Sequence, residues 1–400
     1  MKTSAESNST SLSEVSSAIR ARTAEHSAWR HQLHAHPETA FEEVRTAAFV
    51  AEKLKSWNLE VTEGLAKTGV VGVLRARGEV KRRVGLRADL DALPMTEESD
   101  LPYCSRVAGK MHACGHDGHT VMLLAAAEYL SAHPREHTEV VFIFQPAEEN
   151  VAGGRVMVDE GLFERFPVDE VFGMHNLPGL PEGMFAARIG AQMASADMFS
   201  IRLSGRGGHA AWPHRCDDVV YASASIVTQA QALVSRETDP LESAVLSFTQ
   251  LHTGESDNVL PAHAELRGTV RALSEKRRAH LESRLRSLAE QQASLHNLTL
   301  SWTYERNYAV TENAPEQTRR ALSCARLVVG EAQVDANPDP LMGAEDFGWM
   351  LRAKPGCYIL LGAGERPMLH HPQFDFNDAL IPIGASYWVA LTDDALTDVS

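Results

Sequence analysis

Hydrophobic positions along this chain follow two regimes that change near residue 187. In the first, helical spacing alternates with short, nearly unbroken apolar runs. The spacing predicts one helix in "LSEVSSAIRARTAEHSAWRHQLHAH", stopping at Pro37, and a second in "FEEVRTAAFVAEKLKSWN". Strands follow in "VVGVLRA" and "RVGLRADL", then a helix in "TVMLLAAAEYLSAH", the strand "EVVFIFQPAEE", a helix in "GGRVMVDEGLFE" and the strand "EVFGMHN". Strands that alternate with helices predict an α/β fold with a mostly parallel central sheet flanked by helices.

Beyond residue 187 the pattern becomes one-sided. "DMFSIRLSGR" alternates apolar and polar residues, and a helix-like run "DDVVYASASIVTQAQALVSRE" follows it. Then come the strands "AVLSFTQLHT" and "AELRGTVRAL", the charged helix "SEKRRAHLESRLRSLAEQQASL" and the strand "LTLSWTYE". The order β-α-β-β-α-β is the ferredoxin-like plan. Because "PEQTRRALSCARLVVG" and "CYILLGAG" resume the first regime, this α+β unit is expected to be an insertion. The expected boundaries are 1–187, 188–305 and 306–400, with the first ten or so residues disordered.

Composition narrows the function classes. Of 400 residues, 44% are hydrophobic and 23% charged, as in ordinary globular proteins. A net charge of −15 argues against nucleic acid or an anionic membrane as the main partner. The Ser-rich start lacks the apolar core of a signal peptide, and no window reaches the run of about 18 apolar residues that spans a bilayer. Cys104, Cys114, Cys216, Cys324 and Cys357 are odd in number and scattered, which points to a reducing, cytoplasmic setting. All but Cys114 read as packing residues.

Candidate chemistry gathers at the predicted strand ends. "MHACGHDGHT" places Cys114 and His116 two apart, where the chain turns into a helix. A helix N-terminus lowers a nearby thiol's pKa, so Cys114 is a candidate thiolate ligand and His116 a nitrogen ligand. Alone, that pair also fits a core cysteine beside a solvated histidine. "FQPAEEN" sets Glu148 and Glu149 side by side after a buried-type strand. Two crowded carboxylates repel unless a cation or proton relieves them, although many such pairs are simply solvated. Asp89 and Asp91 in "RADLDALP" and His175 in "GMHNLP" also sit at strand ends, where parallel sheets collect ligand groups. "RPMLHHPQFDFND" adds His370 and His371. Sulfur, nitrogen and carboxylate oxygen together suit Zn, Mn, Co or Ni better than Mg or Ca. Adjacent glutamates suit divided labour, one holding metal and the other taking a proton from water.

These segments, with "GRGGHAAWPH", "GTVR" and "GAEDFG", occur in one order over nearly the whole chain and resemble the M20 metallopeptidases. The branch they are most similar to holds the hippurate hydrolases and N-acyl-amino-acid amidohydrolases, with the plant auxin-conjugate hydrolases. The resemblance implies two divalent metal ions per subunit and an inserted lid and dimerisation domain, hence a homodimer or homotetramer. It implies Cys114, His116, Glu149, His175 and His370 as ligands, His370 being preferred over His371 by an H-x-P pattern. It implies Glu148 as general base and Asp91 as a support of the metal site. Asp89 stands where related branches carry a histidine ligand, and Cys114 compensates.

In "GRGGHAAWP" the glycines permit a tight turn that leaves His209 exposed. The resemblance gives His209 a role at the tetrahedral oxyanion. It gives Arg271, near Asn258 in "SDNVLPAHAELRGTVR", the substrate carboxylate, a task suited to its fork geometry. By residue type alone, Arg271 fits a strand-surface ion pair as well. "GG" at 153–154 reads as scaffold for the glutamate loop, and Glu345 as a support element. The expected function is metal-dependent hydrolysis of a small-molecule N-acyl amino acid. Its rivals are a dipeptidase, N-carbamoyl amidase or deaminase on the same scaffold, and a non-catalytic binding protein.

Overall fold

Apolar runs too continuous to alternate become the middle of a sheet. The computed structural model describes residues 12–394, so the expectation for the first ten residues lies outside it. The chain divides into two compact units, residues 1–190 with 312–338 and 349–400, and residues 191–311 with 339–348. The main divisions fall after Gly190 and Thr311, against expected boundaries at 187 and 305. Residues 339–348, expected in the first unit, belong to the second.

The first unit starts with helices α1 (Leu12–Arg20), α2 (Thr23–His34) and α3 (Val44–Ser56). Strands β1 (Glu60–Leu65), β2 (Gly69–Leu74) and β3 (Arg82–Asp89) follow, then α4 (His116–Ala132), β4 (Thr138–Gln145) and β5 (Glu170–Pro178). In the eight-stranded sheet the central strands run β4-β3-β5 and then Gly356–Gly364, all parallel. β1 and β2 extend it antiparallel beyond β4. All eight residues of β4 are buried, because helices and loops cover both faces.

Local details depart from the expected elements. The first predicted helix breaks between α1 and α2, at Ala21 and Arg22. "GGRVMVDEGLFE" is two short helices, separated at Gly161 with φ 86°. Strand β1 and the helix Leu380–Leu391 had not been expected. That helix packs on α4 within the core of the first unit.

The second unit has the strand order Ala244–Thr253, His263–Ala272, Ser195–Ser204, Thr299–Tyr308, every pairing antiparallel. Ser195–Ser204 alternates buried and accessible residues along its whole length. Helices Val219–Ser235 and Glu275–Leu295 start at Asp218 and Ser274, whose side chains accept backbone N–H groups of the first turn. Phe199, Ile201, Leu266, Ile226 and Leu285 share its core. The connectivity and strand order are ferredoxin-like.

Candidate metal centre

Five chain segments bring the candidate ligands and their supports together in the first unit. β3 ends at Asp89 and runs on to Asp91. α4 begins at His116 after Gly115, whose φ of 100° suits glycine. A Cβ on Gly115 would also lie 2.2 Å from Asn176 Oδ1. β4 ends just before Glu148 and Glu149, and β5 carries His175. Cys114, His116 and His175 offer ligand atoms within 4.8 Å of one another, as do Cys114, Glu149 and His370, and also His116, Glu148 and Glu149. Cys114 is common to the first two groups.

The glutamate loop is held in an expensive conformation. Glu148–Val151 forms α5, a single turn flanked by Ala147 at φ 57° and Ala152 at φ 53°. An L-residue in that region costs about 1–2 kcal/mol, so surrounding bonds must impose it. Gly153 opens α6 (Gly153–Asp159) and donates its N–H to Ala147 O at 2.8 Å. A Cβ there would lie 1.9 Å from Pro146 O. Buried Glu43 accepts the Ala147 N–H at 2.9 Å and the Thr68 hydroxyl at 2.6 Å. Sequence reasoning missed Glu43; its only signal was a second acidic residue in "FEE" before an apolar helix.

Hydrogen bonding settles which imidazole nitrogens are free. His116 Nδ1 lies 2.9 Å from the Asp91 carbonyl, and His175 Nδ1 lies 2.6 Å from the Asn176 carbonyl. A carbonyl oxygen only accepts, so both Nδ1 atoms carry hydrogen and a neutral ring presents an Nε2 lone pair. His175 Nε2 is 3.3 Å from Cys114 Sγ. His116 Nε2 is buried with no hydrogen-bond partner among the described residues. Asp91 Oδ2 also accepts the Glu149 N–H at 2.9 Å.

The electrostatics call for cations. Burial and the nearby Glu149 carboxylate push the Cys114 thiol well above its ordinary pKa. A thiolate at Cys114 fits a bound metal ion, which would supply the compensating charge. Burial and neighbouring His119 hold His175 well below the ordinary histidine value, which keeps its lone pair available. Against its burial, the His370 side chain holds the Glu149 carboxyl below its ordinary range. The orphaned Nε2, the crowded carboxylates and the thiol fit a pair of divalent ions, and the mixed donors fit Mn, Zn, Co or Ni.

Asp89 is not free to ligate in the same way. It pairs with Arg87 Nη1 at 2.6 Å and with His119 Nδ1 at 2.6 Å, and His116 Nε2 is 3.8 Å away. His119, also missed from the sequence, accepts the Asn176 N–H at 3.1 Å. Of the adjacent C-terminal histidines, His370 Nε2 lies 3.1 Å from Glu149 Oε1, whereas His371 Nδ1 accepts the Gln373 N–H.

His209, Asn258 and Arg271 lie in the second unit. The two-residue strands Gly208–His209 and Val259–Leu260 pair antiparallel, and Ala210 N donates to Asn258 O at 3.0 Å, so His209 and Asn258 lie at one small two-stranded ribbon. His209 is exposed and packs against Trp212. Arg271 is half-buried and donates from Nη1 to Met342 O at 3.0 Å. Glu345 is buried and accepts the Phe347 N–H at 3.0 Å. All five cysteines are free; Cys324 and Cys357 are buried, and Cys104 and Cys216 half-buried. No helix among the described residues is long and apolar enough to cross a membrane.

This architecture and donor set define a metallohydrolase. The model of Peptidase family M20/M25/M40 matches residues 85–394, and the chain belongs to that family. It is 40% identical to a hippurate hydrolase of Campylobacter jejuni over 90% of this chain and 94% of that protein. It is 35% identical to an N-acetyldiaminopimelate deacetylase of Leuconostoc citreum, over 88% and 92% respectively. A Bacillus subtilis structure described as a dinuclear metal binding peptidase from the M20 family superposes with TM-score 0.82 at 30% identity, covering 95% of this chain and all of that one. The protein is accordingly an enzyme that hydrolyses amide bonds with the help of metal.

Proposed function

We propose that the chain hydrolyses the amide bond of N-acyl amino acids, with Cys114, His116, Glu149, His175 and His370 holding two divalent ions. The observation that carries this reading is the convergence of those five side chains around Cys114. Bound there, the ions would acidify water and polarise the amide carbonyl.

The chain's own groups do the rest. Glu148, buried beside His116 and Glu149, takes the proton of the attacking water and returns it to the leaving amine. Asp91 orients His116 and fixes the backbone of Glu149. From the second unit we assign His209 to the oxyanion, and Asn258 and Arg271 to the amino-acid portion with its carboxylate. The active form is a homodimer or homotetramer acting in the cytoplasm.

A substrate panel tests the reading. Protein reconstituted with Mn²⁺ or Zn²⁺ should release amine from benzoyl-, acetyl- or indoleacetyl-amino acids with higher kcat/KM than from dipeptides or carbamoyl amino acids. A preference for dipeptides would reject the substrate class while leaving the metal chemistry intact.

A further inference from the structure

His370 is an awkward ligand. It sits at φ 64°, its side chain is about half exposed (53%), and residues 365–379 contain no helix or strand. Such a loop needs an anchor to hold one imidazole to a fraction of an ångström, the tolerance that metal binding demands. One anchor is local: the His370 N–H donates to Ala113 O at 2.7 Å, next to Cys114.

A second anchor comes from the other end of the chain. Arg30, on α2, is fully buried. Its Nε donates to Asp378 Oδ1 at 2.7 Å and its Nη1 to Asp375 Oδ1 at 2.9 Å, so one guanidinium grips the loop twice beyond His370. The same Nη1 reaches Asp117 Oδ2 at 3.5 Å, and Asp117 follows His116 in α4. Neighbours reinforce the grip. Tyr103 donates its hydroxyl to Asp375 Oδ2 at 2.9 Å beneath the guanidinium, and His31 Nε2 lies 2.8 Å from Asp378 Oδ2. Three carboxylates on a buried arginine are a poor way to stabilise a fold, since apolar packing usually does as well. They are a good way to fix two segments in one register.

We propose that Arg30 is a positioning residue of the metal centre, locking the His370 loop against the start of α4 through Asp375, Asp378 and Asp117. This rests on the ligand assignment above. The two cation sites then differ in what they depend on. The group Cys114, Glu149 and His370 needs the Arg30 lock. The group Cys114, His116 and His175 keeps its own supports, because His34 Nδ1 holds Asp117 at 2.8 Å independently.

The test counts metal per folded chain. Wild type, Arg30→Gln, Asp375→Asn and Asp378→Asn are dialysed at fixed low free Mn²⁺, and bound metal is measured with spin-coupled Mn–Mn signals by EPR. Wild type should hold two equivalents. The variants should hold one, lose the coupled signal, and regain both as Mn²⁺ is raised, the weaker Kd having risen about 10–100-fold. Merely structural damage would lower the melting temperature without changing stoichiometry. Should Arg30→Gln fail to fold, the two loop variants decide, since they leave Arg30 and Asp117 in place. Two equivalents at wild-type affinity in folded loop variants would overturn the proposal. Wild type that binds fewer than two would overturn the ligand reading, and the Arg30 role with it.

Discussion

Asp91 grips His116 twice, its carbonyl oxygen 2.9 Å and its Oδ1 3.2 Å from the same Nδ1. The free oxygen Oδ2 meanwhile holds the backbone of Glu149. One residue therefore aims two candidate ligands contributed by different helices. Asp91→Asn puts an amide N–H₂ where either His116 or Glu149 donates. Metal affinity should fall about 10–100-fold, the usual cost of losing an outer partner of a ligand, with the fold intact. Calorimetric Mn²⁺ titration measures it, and unchanged affinity would remove Asp91 from the site.

Cys114 belongs to two of the three-residue groups, Cys114–His116–His175 and Cys114–Glu149–His370, while His175 and His370 each belong to one. Cys114→Ala should therefore weaken both metal equivalents. His175→Ala and His370→Ala should each weaken chiefly one. Metal analysis after dialysis against a chelator series separates these patterns. Equal single-site losses in all three variants would show that Cys114 serves only one of the two groups.

Glu148 is the candidate base, with His116 and Glu149 beside it. Glu148→Gln keeps shape and a carbonyl acceptor but loses the proton site. Turnover should drop about 10²–10⁴-fold with two metals still bound. Substantial activity in a fully metallated variant would move the base elsewhere.

Much of this candidate centre is legible in the sequence because Glu149 follows one apolar strand and His175 lies on another, and strands of a parallel sheet bring their ends together. Cys114 and His116 carry a different signature, metal-type side chains at the turn into α4. The helix Leu380–Leu391 does not, since it is buried all round and shows no amphipathic stripe to read. Arg30, Glu43 and His119 were invisible for a different reason. Their partners lie 345, 104 and 30 residues away, and no local pattern announces an ion pair or backbone bond over such spans.

Gly153 probes the strained glutamate loop. A Cβ 1.9 Å from Pro146 O cannot be accommodated without moving backbone. Gly153→Ala should displace α5, lowering kcat well beyond its effect on KM and destabilising the fold by roughly 1–3 kcal/mol, the usual cost of overpacking a core site. Activity assays with urea unfolding check both; a wild-type kcat would show that the loop tolerates the shift.

His34 sets a limit on alkaline stability. Its ring is buried, which opposes charge, but hydrogen bonds to Asp117 and Glu97 outweigh burial and push its pKa up to about 9. The unfolded value is about 6.5. A group whose folded pKa is raised contributes stability in full below the unfolded value and loses it as pH rises through the folded one. Unfolding free energy should thus decline between about pH 6.5 and 9 as His34 gives up its proton beside two carboxylates. His34→Gln, which cannot titrate, should start less stable at pH 6 and show a flatter profile across that window. Urea midpoints of the metal-free proteins at half-unit pH steps measure the difference, and parallel profiles for the two proteins would rule out His34 as the source.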